Sequence, residues 1–199
     1  MTHIRHSEKV FNMKRLLLIL ILTFNLQSWS AADDIRDFEI EGMSIGKSLL
    51  DYLSKKEIDK LESGHIGEYK QSLIRKDLKN YEALVVSYKK IDNKFIIEGL
   101  TGNLGIYKGI SSCYKKMNSI EKEVSNMFSK LIRKKWETQK LDKPFQTYTP
   151  ITYDFKNNDR IQLSCWDFRI SKEVDNDRDL FKLSLYTSDY RDATAIKVN

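Results

Sequence analysis

Few residues in this chain could do chemistry, and their spacing narrows the choices further. Gly42-Met43-Ser44-Ile45-Gly46 matches Gly-x-Ser-x-Gly, the strand-to-helix turn that exposes a nucleophilic serine. A serine triad also needs a histidine base, and after residue 32 the sequence has only His65. His65 follows Ser44 by 21 positions in a polar stretch, without the long α/β repeat that normally separates triad members. The simpler reading is structural: the glycines allow a turn, and Ser44 or Ser48 caps a helix. A small serine hydrolase using Ser44 is kept as the alternative function.

One histidine cannot build a multi-histidine zinc site. Asp175-x-Asp177-x-Asp179 opens like a calcium loop but lacks the glycine at position six and the closing glutamate, where Leu180 and Tyr186 stand. Gly99-x-x-Gly102-x-x-Gly105 lacks the Rossmann spacing and a helix directly after it. Acidic residues are spread along the whole chain, so no pair stands out for acid–base work. No catalytic residue, cofactor or metal is therefore assigned.

The two cysteines carry a stronger signal. Cys113 is in phase with a helical apolar stripe: Cys113, Met117, Ile120, Val124, Met127, Phe128 and Leu131. Cys165 is in phase with Ile161 and Leu163 on an alternating strand. The expectation is a disulfide joining Cys113 to Cys165, stapling helix to sheet in an oxidising compartment. The alternative is two separate buried thiols packed as small hydrophobes.

That compartment is suggested by the N-terminus. Met13-Lys14-Arg15 precedes the aliphatic run Leu16–Leu22, and Ser30, Ala31 and Ala32 follow. A basic start, a short apolar core and small residues at the cut describe a secretory signal peptide. Cleavage is expected after Ala32, with Met13 as the start and residues 1–12 as an upstream extension. A membrane anchor is the rival, but a span needs roughly 20 apolar residues, and Asn25 and Gln27 break this run. The protein is expected in the periplasm, with 33–199 as a single domain. The leader holds four basic residues and one acidic one, which leaves 30 Lys and Arg against 27 Asp and Glu, a balance of +3.

The elements that must position these residues follow from periodicity. A central amphipathic helix is expected over about 112–133, capped by Ser111 or Ser112. Before it, Ile35–Gly42 reads as a strand, Ser48–Leu53 and Lys55–Leu61 as short helices, and Tyr81–Lys89 and Lys94–Thr101 as strands. Ser54-Lys55-Lys56-Glu57 is a capping box for the second helix. The stretch 68–80 is charged and ambiguous. Gly102-Asn103 suits either a hairpin or one long bulged strand. After the helix, strands are expected around Ile151–Phe155, Ile161–Cys165 and Phe181–Leu185, with a short helix from Asp189. The fold class is α+β: an antiparallel sheet with the helix on one face.

Phe38-Glu39-Ile40-Glu41-Gly42-Met43-Ser44-Ile45-Gly46-Lys47-Ser48-Leu49-Leu50-Asp51-Tyr52-Leu53, Cys113-Tyr114-Lys115-Lys116 with Ile120 and Phe128, and Leu163-Ser164-Cys165-Trp166-Asp167 carry a resemblance. With the leader, they resemble a family of small exported proteins of streamlined marine alphaproteobacteria, over most of the chain after residue 32. The resemblance implies a Gram-negative cell and hence a periplasmic address. It brings no activity and no catalytic residues. The Gly42–Leu53 segment also resembles, more weakly, the opening of BamE-like envelope domains, which supports a fold type.

The function expected from the sequence is a non-enzymatic binding or envelope-accessory protein. Between Lys108 and Lys143 there are ten basic residues and four acidic ones. Lys115, Lys116, Lys122, Lys130, Arg133, Lys134 and Lys135 are the candidate contacts to an anionic membrane surface or an envelope protein, with Arg133-Lys134-Lys135 at the helix C-terminus. The simpler reading is a solvated lysine-rich face. A nucleic-acid partner is disfavoured by the compartment and by the lack of a recognition motif.

Overall fold

A computed structural model describes residues 34–106, 109–140, 147–168 and 179–194. The leader, the Asp175–Asp177 part of the calcium-like stretch, Lys108 and Lys143 lie outside these residues.

The described chain opens with a 3-10 turn, Ile35–Asp37, capped by Asp34, whose side chain accepts the Arg36 N–H at 2.9 Å. A two-strand hairpin follows, β1 (Glu39–Ile40) and β2 (Met43–Ser44). Glu41 and Gly42 both have positive φ, +54° and +78°, as a two-residue type I′ turn requires. Glycine adopts this freely; glutamate does so at a cost. The Glu41 carboxylate offsets that cost by accepting the backbone N–H groups of Lys79 (2.9 Å), Asn80 (2.5 Å) and Tyr81 (3.1 Å). The expected strand over 35–42 is therefore a turn and a hairpin arm. The sequence after Ser44 runs through Gly46 to a second 3-10 turn, Leu49–Asp51, capped by Ser48. The Ser54–Glu57 capping box forms and starts α1 (Lys55–Ile58), shorter than the expected 55–61.

The main sheet has nine antiparallel strands. They are β3 (Glu62–Ile66), β4 (Tyr69–Ile74), β5 (Ala83–Lys89), β6 (Gly99–Ile106), β7 (Ile132–Lys135), β8 (Gln139–Lys140), β9 (Thr147–Asp154), β10 (Arg160–Asp167) and β11 (Asp179–Tyr186). Their order is β3-β4-β5-β6-β11-β10-β9-β7, with β8 also on β9. The α+β class with an antiparallel sheet stands as read from the sequence.

The region 94–98 is not the expected strand. It is a connection that bonds to the N-terminal segment, Gly46 N–H to Ile97 O and Leu49 N–H to Phe95 O. Gly102-Asn103 lies inside one continuous strand. Its glycines answer to packing: a Cβ on Gly99 would stand 2.7 Å from the Tyr190 ring, and one on Gly102 2.7 Å from the Tyr81 ring. β4 occupies the first half of the ambiguous stretch, and β3 precedes it. Buried residues lie on both faces of β4, Ser72 and Ile74 on the helix side and Tyr69 on the other against Tyr190, which blurred the alternation.

Between β6 and β7 runs the helix α2, Ile110–Met127, lying against β10, β11 and β6. Gly109 precedes it, and no side chain caps it, so neither Ser111 nor Ser112 is the cap. It also stops six residues before the expected Arg133. Phe128 leaves helical geometry and is buried between Phe38 (ring centroids 5.8 Å) and Phe155 (5.3 Å). The chain beyond Leu131 instead pairs with β9, where backbone bonding to an open sheet edge outweighs helix continuation. Met127, expected on the buried stripe, is 43% exposed. Cys113, Met117 and Val124 are buried, facing the sheet side that carries Leu84, Val86, Leu100, Ile161, Leu163, Phe181, Leu183 and Leu185. A last helix, α3 (Ser188–Thr194), lays Tyr190 on the opposite sheet face, against Gly99 and near Ser87 and Gln71, whose polar groups donate to its hydroxyl.

Two outcomes follow. Phe128→Ala should lower stability by about 3–5 kcal/mol in denaturant unfolding, because the ring is fully enclosed; an unchanged midpoint would contradict this packing. Burial raises the Glu41 carboxyl, but the Lys79, Asn80 and Tyr81 amides outweigh it and hold it below the usual 4.5. A depressed carboxylate stabilises the fold above its unfolded pKa and loses that contribution as pH falls through the folded value. The stability gap between wild type and Glu41→Gln should be full at neutral pH and should close as pH drops below 4.5.

Candidate functional site

Cys113 and Cys165 are joined in a disulfide, 5.9 Å between Cα atoms and 52 residues apart in sequence. It ties the first turns of α2 to β10. Cys165 sits directly across from Thr149 on β9, and the residue after Cys113 is Tyr114. Tyr114 Oη lies 3.1 Å from Thr149 Oγ1. A covalent bond to β10 and a hydrogen bond to β9 thus hold the start of α2 on two neighbouring strands.

Next to this junction the sheet edge is irregular. Lys135 pairs with Ile151 and Gln139 with Tyr148, so three residues of the edge face two of β9. That is a bulge at 136–138, and Pro150 stands opposite it. Proline has no N–H to give to a ladder, but its carbonyl accepts the Trp136 N–H at 3.1 Å. Thr138 Oγ1 lies 2.9 Å from Thr149 Oγ1, and Trp136 Nε1 donates to Thr152 Oγ1 at 3.1 Å. Bulges of this kind re-aim side chains. The result is a cleft of about 600 Å³ between α2 and the bulge, lined by Tyr114, Met117, Asn118, Lys135, Trp136, Glu137, Thr138 and Thr149. Its size falls in the usual range for small-molecule sites.

The sequence singled out neither this bulge nor the cleft. Pro150 between alternating residues was the one available sign. Ser44 and His65 do not belong to the cleft. Ser44 lies in β2 and is only 4% exposed, while His65 is on the exposed strand β3. No hydrogen bond among the described residues links the two. The described residues hold no group of three or more His, Cys, Asp and Glu side chains able to share a metal ion.

The basic candidates separate into three sets. Lys115, Lys116 and Lys122 are exposed on α2. Lys130 is exposed in the turn after it. Arg133, Lys134 and Lys135 are not at a helix end, as expected, but on the edge strand β7. Arg133 pairs with Glu121 of α2, which holds its guanidinium above its usual pKa. Lys134 pairs with Asp154 at 3.1 Å, and Arg160 binds the same carboxylate at 2.6 Å. Burial raises Asp154, but Arg160 and Lys134 outweigh it and keep the carboxyl below its ordinary value. Lys135 forms no ion pair among the described residues and faces the cleft.

A further lysine lies on the opposite sheet face. Lys182 Nζ sits 3.8 Å from the centroid of the Trp166 ring, which stacks in turn on Tyr148. Burial pushes its pKa down to about 8. Across from it on β6, Asn103 Oδ1 is buried without a hydrogen-bond partner among the described residues.

The chain matches no family model, no curated protein and no solved structure.

Because Arg133 and Lys134 already hold partners, attraction to an anionic surface would rest on the exposed lysines of α2, with Lys130 and Lys135 beyond it. A lysine near such a surface contributes about 1 kcal/mol. In sedimentation with anionic vesicles at low salt, replacing Lys115, Lys116 and Lys122 by Gln should lower the bound fraction. Arg133→Gln with Lys134→Gln should leave it unchanged.

Proposed function

We propose that this is an exported, non-enzymatic binding protein of the periplasm, with its site in the cleft between α2 and the bulge at 136–138. The observation that carries the reading is the disulfide beside that cleft. It joins the wall that bears Tyr114 to the strand across from Thr149. A covalent brace there lowers the entropy of two elements that a ligand would otherwise have to order. A disulfide also suits an oxidising compartment, in keeping with the leader and the resemblance to small exported proteins. No helix among the described residues is long and apolar enough to cross a membrane.

The polar groups around the cleft fit binding better than hydrolysis. Three hydroxyls, from Tyr114, Thr138 and Thr149, form a chain of hydrogen bonds, with no histidine base among the lining residues. The hydrolase alternative would need Ser44 to leave its buried position in β2.

Export is checked by N-terminal sequencing of the periplasmic protein, which should begin at Asp33, and by thiol titration, which should find no free cysteine. The cleft is checked by a thermal-shift screen of small molecules. A bound compound should lose its effect on Asn118→Trp, which fills the cleft, and keep it on Ser44→Ala. Dependence on Ser44 instead would favour the hydrolase. Replacing both cysteines by Ser should cost about 4 kcal/mol in the chain-entropy account and weaken the same compound.

A further inference from the structure

The charged groups at the cleft narrow what it would hold. Lys135 and Glu137 both line it, one on each side of Trp136. Neither forms an ion pair among the described residues, with each other or with a neighbour, although Arg133 and Lys134 just before them both do. A cation and an anion two residues apart, each without a counter-ion, present opposite charges at one lip. Between them and the helix lie the half-buried ring of Tyr114 and the polar groups of Asn118, Thr138 and Thr149, with the buried Met117 at the base.

We propose that the cleft binds a zwitterionic α-amino acid with an apolar side chain. Its carboxylate meets the Lys135 ammonium, its ammonium meets the Glu137 carboxylate, and its side chain lies against the Tyr114 ring. Both side chains are long and exposed, so their tips can reach a carboxylate and an amine on one carbon, each through a charge-assisted bond of about 2.8 Å. A purely anionic ligand would leave Glu137 facing like charge, and a purely cationic one would do the same to Lys135. A neutral sugar would use the hydroxyls but neither charge.

This inference rests on the cleft being the binding site, and its test separates the two. Isothermal titration of the full chain uses three probes: L-leucine, its methyl ester, which lacks the carboxylate, and N-acetyl-leucine, which lacks the ammonium. Leucine should bind, and each blocked probe should bind at least about tenfold more weakly, the loss expected when one hydrogen bond to a charged group is removed. Lys135→Gln should weaken leucine to a similar degree and leave the methyl ester unchanged. Glu137→Gln should weaken leucine and leave N-acetyl-leucine unchanged. Asn118→Trp should abolish leucine binding. Equal binding of all three probes, or no leucine binding while an unrelated compound still binds and is lost on Asn118→Trp, would overturn the zwitterion and keep the cleft. Leucine binding that survives Asn118→Trp would overturn both.

Discussion

The Cys113–Cys165 disulfide is the constraint on which the packing of α2 against the sheet depends. A sheet of nine strands needs one face covered, and α2 offers only Cys113, Met117 and Val124 as fully buried helical positions. Phe128 extends that contact just past the last turn, among Phe38 and Phe155. Three buried helical residues are a narrow apolar stripe for eighteen residues of helix. The covalent bond at one end and the aromatic cluster at the other hold the helix at both ends. The cleft lies beside the covalent end, so its wall is the part of the helix least free to shift.

The second constraint is Pro150. It sits in a strand with neighbours on both sides, where a missing N–H leaves the ladder one donor short. The edge chain responds by bulging over 136–138, and its two halves, β7 and β8, pair with β9 on either side. Without the bulge, Lys135, Trp136 and Glu137 would follow strict alternation and could not all line one cleft. The ion pairs of Arg133 with Glu121 and of Lys134 with Asp154 pin the strand up to the bulge and stop there. Charge neutralisation therefore ends where the cleft begins.

The N-terminal segment and α3 complete the enclosure in a different way. Glu41 ties the β1–β2 turn to residues 79–81 through three amides. Asp159 accepts the Ser188 N–H at 2.8 Å, so the β9–β10 turn holds the start of α3. Tyr190 then lies over Gly99, where a side chain would clash with its ring. These are polar clamps on secondary elements too short to hold by burial alone. They explain why a region rich in charge is nevertheless ordered against the sheet.

What was legible in the sequence was whatever depends on local period or on pairing by elimination. The alternation at Ile161, Leu163 and Cys165 placed a strand, and the Cys113–Val124 stripe placed a helix face. The Ser54–Glu57 box marked a helix start, and two cysteines left one possible bridge. These signals are carried by neighbours along the chain, so no distant contact is needed to read them. Tertiary structure decided the rest. The helix ends at Met127 because β9 offers Ile132–Lys135 an open edge, and no glycine or proline records that offer. Gly102-Asn103 suited a hairpin as well as one long strand, because the tyrosine that requires Gly102 is remote in sequence. The cleft was invisible for the same reason: its walls, at 114–118, 135–138 and 149, become one surface only when the disulfide and the bulge bring them together.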